Sequence, residues 1–124
     1  MIYLASPYTH SDPAVQQARF EAACRAVVRL IREGEIVFSP IVHSHPLVPL
    51  GLPVEWDYWE RIDTTFIGRS DGVRVLMLPG WRESVGVRAE IKLAKSCGLP
   101  VLYLPAEYGD VWPTFARVAK GGES

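Results

Sequence analysis

Val73-Arg74-Val75-Leu76-Met77-Leu78-Pro79-Gly80-Trp81-Arg82-Glu83-Ser84-Val85-Gly86-Val87-Arg88-Ala89-Glu90-Ile91-Lys92-Leu93-Ala94-Lys95-Ser96-Cys97-Gly98 reads as a strand, a turn and a helix. Residues 73–78 form an apolar strand, which Pro79-Gly80 breaks. Ser84 has the chemistry of an N-cap. Val87, Ile91, Leu93, Ala94 and Cys97 then fall on one helical face over residues 84–97, and Gly98 closes the helix. A second apolar strand follows at 100–104. Two apolar strands joined by a helix of this length form a parallel pair with a crossover.

Outward from this unit the hydrophobic period keeps switching. Residues 2–5 are a strand, and 12–33 carry a helical stripe of Phe20, Ala23, Cys24, Val27, Leu30 and Ile31 that Gly34 ends. Residues 35–39 are a strand and 54–68 a helix. Between them, residues 40–53 hold Pro40, Pro46, Pro49, Gly51 and Pro53 and read as a rigid loop. Pro113 can start a last short helix, and residues 120–124 read as a loose tail. The alternation predicts one α/β domain over residues 1–124. Its expected form is a doubly wound, flavodoxin-like parallel sheet of four or five strands with helices on both faces. In such sheets ligands sit beyond the carboxyl ends of the strands. Ser6-Pro7-Tyr8-Thr9, the proline-rich loop and residues 79–84 therefore converge on the expected site.

Composition bounds the partners. The 124 residues carry 13 basic and 14 acidic side chains, a formal net charge of −1, which gives no field to gather polymeric nucleic acid or an anionic membrane. No apolar run reaches the roughly 18 residues of a spanning helix. The N-terminus reads as a strand and not as a signal peptide. Cys24 and Cys97 are too few for a disulfide framework and read as two buried helical thiols. A cytoplasmic setting is the expectation.

Two acids break the helix pattern. With Trp59 at zero, Trp56, Ile62, Phe66 and Ile67 fall within about 80° of it at 100° per residue, and Asp63 falls inside that arc. Glu90 lies near the middle of the apolar face of the following helix, while Arg88, Lys92 and Lys95 take the outer face. Burying an ionised carboxylate without partners costs several kcal/mol. One explanation is structural: each acid caps a helix or pairs with a buried arginine. The other is chemical. Two carboxylates at one cleft suit glycosyl transfer, one attacking or steadying the anomeric carbon and one moving the proton.

The turn favours the chemical reading. Gly80 and Gly86 let backbone approach a ligand, and the helix start with Ser84 suits a phosphate, although an ordinary N-cap explains Ser84 equally. The turn is neither a P-loop nor a dinucleotide fingerprint. His43-Ser44-His45 lacks further ligands for a metal, so no metal is expected; a base-contacting or a merely solvated role is left, with His43 the candidate for contact. Trp56, Tyr58 and Trp59 can stack a base or fill the core.

The ordered set Ile2-Tyr3-Leu4-Ala5-Ser6-Pro7-Tyr8, Trp59 to Asp63 ahead of Ser70-Asp71-Gly72, and Leu78-Pro79-Gly80-Trp81 with Ser84, Gly86 and Glu90 resembles the nucleoside 2-deoxyribosyltransferase superfamily. That superfamily includes 2′-deoxynucleoside 5′-phosphate N-hydrolases, and the resemblance runs from residue 1 to about residue 104. It implies that Glu90 attacks the anomeric carbon, Asp63 assists the leaving base and Tyr3 orients the glutamate. Ser6, Pro7, Tyr8, Gly80, Trp81, Ser84, Gly86 and His43 are then the expected substrate-binding set. Ser84 stands where the transferases have aspartate and the nucleotide hydrolases have serine, which favours a nucleoside 5′-monophosphate and water as acceptor. No cofactor is expected, because the two carboxylates suffice for this chemistry. The resemblance also implies a homo-oligomer, because members often complete the site with C-terminal residues of a neighbouring subunit; no matching segment is found in this chain. Two other readings stay open at this point. One is a non-catalytic nucleotide-binding module. The other is a lysine-decarboxylase-like phosphoribohydrolase, whose Pro-Gly-Gly-x-Gly-Thr turn is loosely echoed here.

Overall fold

The computed structural model describes residues 1–111. Four strands, β1 (Ile2–Ala5), β2 (Val37–Phe38), β3 (Gly72–Leu76) and β4 (Val101–Leu104), pair in parallel in the order β2-β1-β3-β4. The helices are α1 (Pro13–Arg32), α2 (Pro40–Ser44), α3 (Trp56–Gly68) and α4 (Val85–Ser96).

Strand alternation sorts the core into two layers. Tyr3, Ala5, Val73 and Val75 pack against Ile67 of α3 and against Val87 and Ala94 of α4. Leu4, Leu76 and Leu104 face the other way, onto Ala22, Ala26 and Leu30 of α1. Side chains two residues apart share a face of a strand, so a four-residue β1 serves both layers. The sheet is therefore doubly wound and flavodoxin-like. The crossover from β1 runs to one side and the later crossovers run to the other, which opens a crevice beyond the ends of β1 and β3.

Local signals explain the helix starts. Asp12 caps α1 by accepting from the Ala14 N–H at 2.9 Å, with Pro13 in the first turn. Ser84 caps α4 by accepting from the Val87 N–H at 3.2 Å.

Three expectations need correction. Residues 40–53 are not a plain loop. Pro40 sits at the first turn of α2 behind the Ser39 cap, and a 3₁₀ segment, His45–Leu50, continues from it. Proline is compatible with a first helical turn because its missing N–H would have no partner there. The stripe on α1 is displaced: Ala22, Ala23, Ala26 and Leu30 are buried, whereas Ile31 is exposed. The cysteines are not buried either, since Cys24 is half-buried and Cys97 is exposed at the end of α4. Small alanines let α1 lie close to the sheet, so bulk was a poor guide to its inner face. The helix expected from Pro113 and the tail at 120–124 lie outside the described residues. No helix among the described residues is long and apolar enough to cross a membrane.

Candidate active site

The crevice at the sheet's end is a cleft of about 440 Å³. One wall is the segment after β1, another is α2 with the 3₁₀ segment, and α3 and α4 close the rest. Asp63 and Glu90 both line it, and both are buried, at 6% and 4% exposure. Tyr3 joins them from beneath. Its side chain leaves β1 on the α3/α4 face, and its hydroxyl donates to Glu90 Oε2 at 2.5 Å. The same hydroxyl also faces Asp63.

Burial dominates the electrostatics. Loss of solvent pushes Asp63 up to about 7, against a smaller downward pull from the Tyr3 hydroxyl. Glu90 is pushed up to about 8, first by burial; the Tyr3 hydrogen bond opposes this and the Asp63 charge adds to it. Tyr3 itself is held well above the ordinary phenol range by burial and by the two acids. No arginine or lysine among the described residues contributes to either carboxyl. The two acids thus form a pair that holds protons near neutrality, as suits an acid–base site.

One end of the cleft lies at the start of α4. Ser84 and Gly86 line the cleft there. Because the Ser84 oxygen accepts from Val87, its proton is left to donate elsewhere. The apolar part of the lining is Ile41, Val48, Trp56 and Trp59, and the Trp56 ring lies beside Gly86. Trp59 is held by its indole N–H, which donates to the Pro53 carbonyl at 2.8 Å.

Of the expected set, Ser6, Tyr8, Asp63, Ser84, Gly86 and Glu90 line the cleft, and Tyr3 lies under it. Four others do not reach the lining. Pro7 is buried in the protein, and Trp81 packs against the α3/α4 core and Tyr103. Gly80 sits beneath Arg19, whose guanidinium donates to the carbonyls of Tyr8, Thr9 and Pro79 and so ties the segment after β1 to the turn after β3. His43 is exposed and touches Phe38 and Ser44.

The histidine that lines the cleft is His45. Its Nδ1 lies 2.6 Å from the Tyr8 hydroxyl, its Nε2 lies 3.0 Å from Gln17 Oε1, and Phe20 stacks on its ring. Gln17 is oriented in turn by donating to Glu21. Gln17 Oε1 can only accept, so Nε2–H donates to it, and the Tyr8 hydroxyl pairs with the other ring nitrogen. Residues 40–53 taken as a loop gave no means of choosing between His43 and His45; a helical turn places them on different sides. No group of three or more His, Cys, Asp or Glu among the described residues is arranged to hold a metal ion.

Residues 1–105 match the family described as Domain of unknown function (DUF1937), and the chain belongs to that family. A search of the curated proteins found no match.

Proposed function

We propose that this DUF1937 protein breaks the N-glycosidic bond of a nucleoside 5′-monophosphate or nucleoside, with Glu90 as nucleophile and Asp63 as proton donor to the departing base. One observation carries the reading: two carboxyls buried in one cleft, linked through Tyr3 and unneutralised by any described cation. The order of motifs shared with the nucleoside 2-deoxyribosyltransferase superfamily supports the same assignment.

The first step needs Glu90 ionised and Asp63 protonated. Burial alone favours the proton on Glu90. Bound substrate supplies the bias the other way, because a base nitrogen beside Asp63 accepts a hydrogen bond and the developing oxocarbenium charge favours an anionic Glu90. Glu90 then bonds to the anomeric carbon, the carbon–nitrogen bond breaks, and the Asp63 proton leaves with the base. Tyr3 holds Glu90 in position throughout. The tryptophan wall gives the base an apolar surface to stack on. The Ser84 hydroxyl and the first-turn N–H groups of α4 suit the 5′-phosphate.

The test is a panel of deoxy- and ribonucleoside monophosphates and nucleosides, with free base followed by chromatography. Base should appear with wild-type protein and not with Glu90→Ala, whose circular dichroism should stay that of the wild type. Tight nucleotide binding with no base released over hours would favour a binding module. A preference for ribonucleotides would favour the phosphoribohydrolase reading.

A further inference from the structure

A hydrogen-bonded chain runs from the surface of α1 into the cleft. Its members in order are Glu21, Gln17, His45 and Tyr8, and the last two line the cleft. The outer end gives the chain a direction. A carboxylate only accepts, so the Gln17 amide turns its NH2 to Glu21 Oε2, at 3.0 Å. Gln17 Oε1 is then the atom that faces His45 Nε2, also at 3.0 Å, and Nε2 carries a proton to meet it. In a neutral imidazole, a proton on Nε2 leaves a lone pair on Nδ1. The Tyr8 hydroxyl lies 2.6 Å from that nitrogen and gives it its single proton. Burial pushes the Tyr8 phenol up, so it has that proton to give. Phe20 stacks on the imidazole with ring centroids 4.2 Å apart, which restrains the ring in this orientation.

What Tyr8 presents to the cleft is therefore an oxygen with lone pairs and no proton to offer. We propose that the Tyr8 hydroxyl reads a hydrogen-bond donor on the ligand, a hydroxyl of its sugar, and that Gln17 and His45 are the positioning residues that fix this polarity. The sugar assignment rests on the N-glycosidic reading above; the polarity of the chain does not. A phosphate monoester is largely dianionic at neutral pH and has no proton to give, so it does not satisfy this oxygen. The base has the tryptophans to stack on, which leaves the hydroxyl edge of the sugar for Tyr8. A ligand without that hydroxyl leaves the oxygen facing nothing that can donate, which is how a site built around one hydrogen bond rejects an analogue. The same bonds also brace the segment after β1 and the 3₁₀ segment against α1. A brace alone is indifferent to which way the protons point and to what the ligand carries.

The experiment has two arms, both on the full chain at pH 8. Nitrogen-15 NMR of the histidine rings in wild type reads the tautomer and needs no variant. His45 should show a protonated Nε2 and a bare Nδ1; a protonated Nδ1 overturns the proposal. The second arm compares kcat/KM for base release from adenosine, 2′-deoxyadenosine, 3′-deoxyadenosine and purine riboside, each as nucleoside and as 5′-monophosphate, in wild type, Tyr8→Phe and Gln17→Met. Removing the sugar hydroxyl that Tyr8 reads should cost wild type about tenfold more than it costs Tyr8→Phe, with Gln17→Met between them. Intrinsic differences in substrate reactivity are common to the three proteins and cancel, and a general loosening lowers every substrate alike. Equal factors in all three proteins overturn the proposal, as does a Gln17→Met indistinguishable from wild type. A Tyr8 dependence that follows the adenine amino group, absent from purine riboside, overturns the sugar assignment in favour of the base. If wild type releases base from none of these compounds, the N-glycosidic reading fails and the sugar assignment falls with it. If base is released and the factors are equal, the parent reading survives and this one does not.

Discussion

Tyr3 on the second residue of β1 and Glu90 in the middle of α4 meet in a 2.5 Å hydrogen bond across 87 residues of chain. Among the described residues, the phenol is the group that lowers the affinity of Glu90 for its proton, against burial and Asp63, which both raise it. Tyr3→Phe removes that support and moves Glu90 further up. Since Glu90 reacts as an anion, the acid limb of the kcat/KM profile should move to higher pH. The rate at neutral pH should fall about tenfold or more, the scale of a lost hydrogen bond to a charged group. In wild type both limbs should lie above the ordinary carboxyl range, as a property of the pair. Steady-state rates from pH 5 to 9.5 check this, and an unshifted acid limb in Tyr3→Phe contradicts it.

The same pair makes stability depend on pH. In the unfolded chain, Asp and Glu titrate near 3.9 and 4.3. Folded, they are pushed up to about 7 and about 8. The folded protein therefore binds more protons than the unfolded chain between these limits. The contribution is fully present below about pH 4 and is lost as pH rises through 7 and 8, by up to about 1.4 kcal/mol per pH unit for each group. Glu90→Gln keeps an acceptor for Tyr3 and removes the titration. Its melting temperature should exceed that of wild type at pH 8.5, and the gap should close towards pH 5. Parallel melting curves for the two proteins would show that Glu90 is not held protonated. A variant that is more stable and inactive is what a site built against the fold's preference should yield.

How far the sequence alone carries follows from what each residue responds to. Asp63 and Glu90 were legible because helical period is a local property, and an acid on an apolar arc stands out against it. The two-faced sheet was legible for the same reason, since the strands carry apolar residues on both faces, Arg74 in β3 apart. His45 and Arg19 were not legible. Each acts through partners far away in sequence: Gln17 and Tyr8 for His45, and the carbonyls of Tyr8, Thr9 and Pro79 for Arg19. Ser6 could be placed at the strand end, but its lack of a partner is a fact of packing and not of pattern.

Gly80 and Arg19 should couple. Gly80 has φ of 91°, and a Cβ built there would lie 2.7 Å from Arg19 Nη2. Gly80→Ala therefore meets two costs, about 1–2 kcal/mol for the left-handed backbone and a further displacement of the guanidinium. Arg19→Ala loses the tie between the two cleft segments but removes the clash. In a double-mutant cycle by chemical denaturation, Arg19→Ala with Gly80→Ala should destabilise by less than the sum of the singles. Strict additivity would mean that the clash is relieved at no cost, and that Gly80 is required for its backbone alone.

Ser84 offers the sharpest test of the ligand's charged end. Its oxygen caps α4, so Ser84→Ala should cost about 1 kcal/mol of stability whatever the ligand is. A bound 5′-phosphate would also lose the serine proton as a donor, a charge-assisted bond of about 1.5–3 kcal/mol. KM for a nucleoside 5′-monophosphate should then rise by about tenfold or more, while KM for the matching nucleoside, which has no phosphate to place there, stays within about twofold. The ratio of the two constants removes any general loosening of α4, because both substrates need the helix to hold Glu90. A ratio unchanged from wild type would leave Ser84 as a cap alone and move the phosphate away from α4.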